Sequence, residues 1–222
     1  MIALVFPFQG ELESFLGGAA PPGKKLRGVR VVSPPSDPDW LLAVCGQGKV
    51  EAALACQILA DTSSPEAYFL LGSAAGLDPS LKVGDAVLAD PCLEWDFRSG
   101  YGEENGHPSF RPGKPFMLSP LAETPGIRTG PVLSADRDVF DPEVKSRMHG
   151  ESGALAMAWE GAGFHRFLRR NNLPGWEIRV VTETAQEGRI SLAELRRRML
   201  DSFPALRKAM RAALRPAPIL KV

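Results

Sequence analysis

The sequence predicts an α/β fold. Two observations carry that reading: short apolar runs that stop at small or turn-forming residues, and stretches of helical spacing that follow them. The clearest unit is Trp40–Leu54. Its run Leu41–Val44 reads as a buried strand, Gly46 and Gly48 break it, and an Ala-rich helix follows with Val50, Leu54 and Ile58 at helical spacing. Glycines let the backbone pass close to a bound group and a helix start offers unpaired N–H donors, so Gly46 is a candidate binding residue. The spacing Gly-x-Gly-Lys lacks the third glycine of a dinucleotide fingerprint and the Lys-Ser/Thr of a P-loop. Taken alone, a tight turn that holds no ligand is the plainer reading.

The other elements follow in order. Ile2–Phe6 is a buried strand that runs into a helix over Glu11–Leu16, which sets Glu11 just past the carboxyl end of that strand. Ligands gather at that edge of open α/β sheets, although a glutamate there also complements the helix dipole. Gly17–Pro38 reads as a hairpin with one short strand near Val29–Val32. Tyr68–Leu71 is a further strand, ended by the small residues Gly72–Gly76, which leave room for a flat group or for close packing; Ala86–Ala89 is the next. Between Asp90 and Pro131 periodicity fades, and Trp95, Phe97, Tyr101, Phe110 and Phe116 suggest a lid or a contact loop, with His107 idle within it. Pro131–Ser134 is a strand candidate followed by Ala-Asp-Arg-Asp138. A helix begins near Trp159, carries Glu160 early, and stops at Asn171, Asn172 and Pro174. Trp176–Val181 is the last strand and ends at Thr182-Glu183-Thr184. Ser191 and Glu194 form a capping box, and Pro204 is expected to open a second helical segment with Leu206, Met210 and Leu214 as its apolar stripe.

Composition narrows the function. A chain of 222 residues suits one domain, 1–222, and 44% hydrophobic with 23% charged residues is ordinary for a soluble globule with a real core. Lys plus Arg equals Asp plus Glu, 26 each, so no basic excess points to nucleic acid or an anionic membrane. A small molecule or a second copy of the chain remains as partner. Cys45, Cys56 and Cys92 share no metal-ligand spacing, so neither metal nor cofactor is expected. An odd cysteine count without a signal peptide is expected of a reduced, cytoplasmic protein. No run reaches the length of a membrane span.

Glu11, Glu160 and Glu183 thus fall at strand ends on one side of the expected sheet. Each alone reads as a solvated or helix-capping carboxylate. Beside two turns of small residues they point instead to a site, and paired carboxylates suit glycosidic cleavage, where one activates water while another protonates the leaving group.

Three segments resemble the nucleoside phosphorylase/nucleosidase superfamily: Ala43-Val-Cys-Gly-Gln-Gly-Lys-Val-Glu-Ala-Ala-Leu54, Leu71-Gly-Ser-Ala-Ala-Gly-Leu-Asp-Pro-Ser-Leu-Lys-Val-Gly-Asp85 and Trp159-Glu-Gly-Ala162. Within it they look most like 5′-methylthioadenosine/S-adenosylhomocysteine nucleosidases, and Glu160-Gly-Ala-Gly-Phe164 is also similar to futalosine hydrolases. The resemblance implies a three-layer α/β/α sandwich around a mixed central sheet, a homodimer, and a purine nucleoside as substrate. It makes Glu11 the base that deprotonates water, Glu160 the carboxylate that holds the ribose hydroxyls and stabilises an oxocarbenium-like transition state, and Glu183 the acid toward the purine. It puts Ser73, Ala74 and Ala75 along the ribose and base, Asp138 and Val139 beside the base, and Trp159 under the sugar.

Several residues depart from the family pattern. Glu183 stands for an aspartate, Trp159 for a methionine, Ala75 for a glycine, Ala158 for an acidic residue, and Asp138 for an apolar one. A reshaped pocket for another nucleoside follows, or a relative that binds without turnover. Phosphorylases hold phosphate with guanidinium groups, one directly before the Gly-Ser/Thr turn. Leu71 occupies that place here and the first loop offers Glu11, so hydrolysis is expected.

Overall fold

A computed structural model of the chain describes residues 1–97, 108–111 and 126–214. Its strands are β1 (Ile2–Phe6), β2 (Lys24–Leu26), β3 (Val29–Val32), β4 (Trp40–Val44), β5 (Ala67–Gly76), β6 (Ala86–Glu94), β7 (Ser109–Phe110), β8 (Ile127–Ser134), β9 (Ala156–Ala158) and β10 (Gly175–Glu183). Its helices are α1 (Gln9–Leu16), α2 (Lys49–Ser63), α3 (Pro142–Ser152), α4 (Gly161–Asn171) and α5 (Leu192–Ala213).

The apolar strands are buried on both faces, and the alternation along β1 shows how. Leu4 and Phe6 pack with Phe15 of α1 and with Phe203, Leu206 and Met210 of α5. Ala3 and Val5 pack on the other side with Ala52, Ala55 and Cys56 of α2 and with Phe164 and Phe167 of α4. A run without polar alternation is what such a doubly covered strand requires. Three layers, α/β/α, result. The central sheet is mixed: β1 lies parallel between β4 and β5, whereas β3 pairs antiparallel with β4.

One half of the sheet closes on itself. β10 pairs parallel with β5 and antiparallel with β6, and the path then runs through β8 and β9 back to β5. The carboxyl ends of β5 and β10 meet there, with Glu183 opposite Ala75.

Some expectations are corrected. Gly72–Gly76 is not a turn; β5 runs through it, pairing with β9 and β10, and at Gly72 the missing side chain leaves the face of the strand to Arg179 and Pro7. Val50 and Leu54 do not face the core: they are 74% and 53% exposed, and the small residues Ala52, Ala55 and Cys56 take the buried face. Pro204 does not divide the last helix but lies inside α5, while Ser191 caps it as expected, accepting from the Glu194 N–H. Four elements were not anticipated, β2, β7, β9 and α3; the last is announced by Asp141 as cap and Pro142 at its first turn. Of the aromatic stretch, Phe110 is buried in β7, and Tyr101, His107 and Phe116 lie outside the described residues.

Candidate active site

The carboxyl ends of β1, β5 and β10 open onto a cavity of about 280 Å³. Its walls include Glu11, Ser73, Ala74, Ala75, Asp138, Val139, Trp159, Glu160 and Glu183. Nine of the ten residues singled out in the sequence therefore meet there. Gly46 does not: its N–H is bonded to the Pro7 carbonyl, tying β4 to the end of β1, and Gln47 lines the cavity instead.

Glu11 sits in the first turn of α1 and is fully buried. Its Oε1 accepts from both the N–H and the hydroxyl of Ser73, at 2.6 and 2.7 Å, and its Oε2 from the Phe8 N–H at 3.3 Å. Burial nevertheless dominates and raises its pKa to about 8; the Ser73 N–H pulls it down and the neighbouring Glu160 pushes it further up.

Glu160 lies between β9 and α4, 4% exposed. Its Oε1 accepts from the Gly48 N–H at 3.1 Å, at the start of α2, where the helix dipole favours an anion. Gly48 takes φ 93° to present that N–H, a backbone shape that a side chain disfavours. Glu160 Oε2 lies 3.0 Å from Nη1 of Arg179.

Arg179, ion-paired with Glu160 behind the cavity, was not singled out in the sequence. It is fully buried on β10, with Nε donating to Glu177 Oε1 at 2.7 Å. Neither Nη1 nor Nη2 has a hydrogen-bond partner among the described residues. Nη1 is left with the ion pair to Glu160 alone, and a buried nitrogen without a partner, as Nη2 is, is costly. Its guanidinium crosses β5 at Gly72, where a Cβ would stand 2.5 Å from Nη1. The signal was present: Glu177 and Arg179 put two charges on one face of an otherwise apolar strand.

Glu183, at the end of β10, is half-buried and makes no hydrogen bond or ion pair among the described residues. Burial raises its pKa; Lys145 counteracts this and Asp138 adds to it. Trp159 is fixed through its carbonyl, which accepts from the Ser134 hydroxyl at 2.7 Å. Arg137 and Arg189 also reach the cavity wall, the latter stacked 5.3 Å over the Phe140 ring. Two carboxyls whose pKa values are moved upward, in a cavity backed by the Arg179–Glu160 pair, equip the site for acid–base work at a polar bond.

A model of the phosphorylase superfamily matches residues 2–215. The chain is 29% identical over 177 residues to a 5′-methylthioadenosine/S-adenosylhomocysteine nucleosidase of Mycobacterium tuberculosis, covering 65% of this chain and 69% of that one. Two structures from Helicobacter pylori share the fold at 18% identity and 96% coverage of both chains. One is a mutant of 5′-methylthioadenosine/S-adenosylhomocysteine nucleosidase with 5′-methylthioadenosine in its active site, at a TM-score of 0.79. The other is native futalosine hydrolase, at 0.77.

Proposed function

The chain belongs to the phosphorylase superfamily, and on that premise we propose that it is an N-glycosyl hydrolase of purine nucleosides, of the methylthioadenosine/adenosylhomocysteine type. The observation that carries this is the pairing of Glu11 and Glu160 in one cavity, with Ser73 fixing the first and Arg179 flanking the second.

Water, bound beside Glu11, gives its proton to Glu11 as its oxygen bonds to the anomeric carbon. The bond to the purine nitrogen breaks, and its electrons leave with the base, which takes a proton from Glu183. Glu160 faces the sugar, where positive charge develops. A pKa of about 8 at Glu11 suits a base working near neutrality. Burial raises the pKa of Glu183, which favours its role as the acid.

Water is favoured over phosphate. Three carboxylates, Glu11, Glu160 and Glu177, act on the one guanidinium of Arg179. The group keeps an excess of negative charge, which repels an anionic nucleophile. Incubation with methylthioadenosine, adenosylhomocysteine, futalosine and inosine, followed by detection of free base, tests the reading. Release from none of the four, with binding retained, would leave a nucleoside-binding relative instead.

We also propose a homodimer in a reducing cytoplasm. Val50 and Leu54, exposed one turn apart on α2, support the first and three free cysteines the second. Sedimentation of the wild type beside Leu54→Glu decides the first; a monomeric wild type would end it.

A further inference from the structure

Behind Glu160, a second group of ionisable side chains lies in the core. On β10, Ile178 and Val180 pack toward α1 and α5, which turns Glu177 and Arg179 to the opposite face, beneath α4. His165 of α4 places Nε2 3.2 Å from Glu177 Oε2, while Glu177 Oε1 takes the Arg179 Nε–H at 2.7 Å. Glu177 and Arg179 are wholly buried and His165 is 2% exposed.

A buried ion pair of this kind gives little net stability, since desolvation offsets the attraction. Its usefulness lies in what it fixes. With Nε tied to Glu177 and Nη1 3.0 Å from Glu160 Oε2, the guanidinium is held between the two carboxylates. Without that tie, Arg179 would be free to pair with Glu160 alone and draw off the charge that the sugar cation needs.

Cys92 joins this group, and the ligand-type atoms of Cys92, His165 and Glu177 lie within 4.8 Å of one another. That spacing admits a metal ion, but both oxygens of Glu177 are already committed to Arg179 and His165. A cation would also meet the arginine 2.7 Å from the same carboxylate.

We propose that Glu177, braced by His165, is a positioning residue for the hydrolysis: it fixes Arg179 behind Glu160 and Glu11 and shares its charge, leaving Glu160 available to the transition state. This rests on the hydrolytic reading above.

A supporting consequence concerns Glu11, which faces Glu160, Arg179 and Cys45. Burial would raise the pKa of Glu177, yet Arg179 and His165 hold it down to about 2, so it stays charged across the working range. Removing that charge leaves Arg179 acting more strongly on Glu11, and the pH at which Glu11 ionises falls.

The test compares wild type, Glu177→Gln and Glu177→Asp. Glu177→Gln is expected to lower kcat about 10- to 100-fold with KM within about threefold, and to move the acid limb of the rate profile to lower pH. Glu177→Asp keeps the charge and shortens the tether; it should lose rate without moving the limb, and it decides the matter if the glutamine variant does not fold. Calorimetry with a purine analogue carried on a protonated pyrrolidine supplies a readout independent of turnover. Glu177→Gln should weaken that cation about tenfold or more while free purine binds as before. Variants matching wild type in rate, limb and cation affinity would overturn the proposal, as would stoichiometric metal in the purified protein. A wild type that binds the cation without releasing base strikes the hydrolytic reading alone, and calorimetry still decides the role of Glu177.

Discussion

Ser73 donates twice to a single oxygen of Glu11, through its N–H at 2.6 Å and its hydroxyl at 2.7 Å. Both bonds favour the ionised acid against the burial that opposes it. Ser73→Ala removes the hydroxyl and keeps the N–H. The pKa of Glu11 should rise further and turnover at pH 7 should fall about tenfold, which corresponds to about one pKa unit; a pH–rate profile of the variant reads both.

The pH dependence of the wild type has a definite sign. Glu11 is raised from an ordinary 4.5 to about 8, and the base acts when ionised, so the acid limb of kcat/KM should climb with pH toward about 8. Stability runs the other way. A carboxyl whose folded pKa exceeds its unfolded value stabilises fully below the unfolded value, and that stability is lost as pH rises through the folded one. Urea midpoints of the free protein should therefore decline between about pH 5 and 9. Glu11→Gln should abolish that decline and cut turnover about 10²- to 10⁴-fold while nucleoside binding persists.

Gly72→Ala tests the crossing of Arg179 over β5. A Cβ there would stand 2.5 Å from Nη1 and 3.2 Å from the Pro7 ring. Overpacking should cost about 1–3 kcal/mol by denaturant titration, and the displaced guanidinium should lower kcat as well.

Glu183→Asp shortens the acid by one methylene. Trp159 and Glu183 line the cavity together. Shortening should therefore cost up to about 100-fold in kcat, because an error of about 1 Å in placing a proton donor has that effect. Steady-state rates of the variant beside Glu183→Gln check it.

Much of the fold was legible because its strands are apolar on both faces and its caps are explicit. Ile2–Phe6, the stop at Asn172 and the Ser191 cap needed only local chemistry. The errors share a cause. Val50 and Leu54 read as a core stripe by size, whereas the contact with the sheet demanded small side chains and took Ala52, Ala55 and Cys56. Gly72–Gly76 read as a turn by composition, whereas it is a strand whose face at Gly72 is covered by Arg179 and Pro7. The site was legible in its acids, which lie at strand ends. Arg179 was not, because its purpose arises from side chains at positions 11, 160 and 177 that only the folded sheet assembles.

The closure of the sheet through β10 reaches beyond shape. Ile178, Arg179 and Val180 are bonded to β5 on one flank and β6 on the other, so this strand has no open margin from which to fray. Its amides should exchange with deuterated solvent only when the whole domain opens, slower than those of the outlying β2. The arginine beside the reacting centre is thereby mounted on the segment least able to wander.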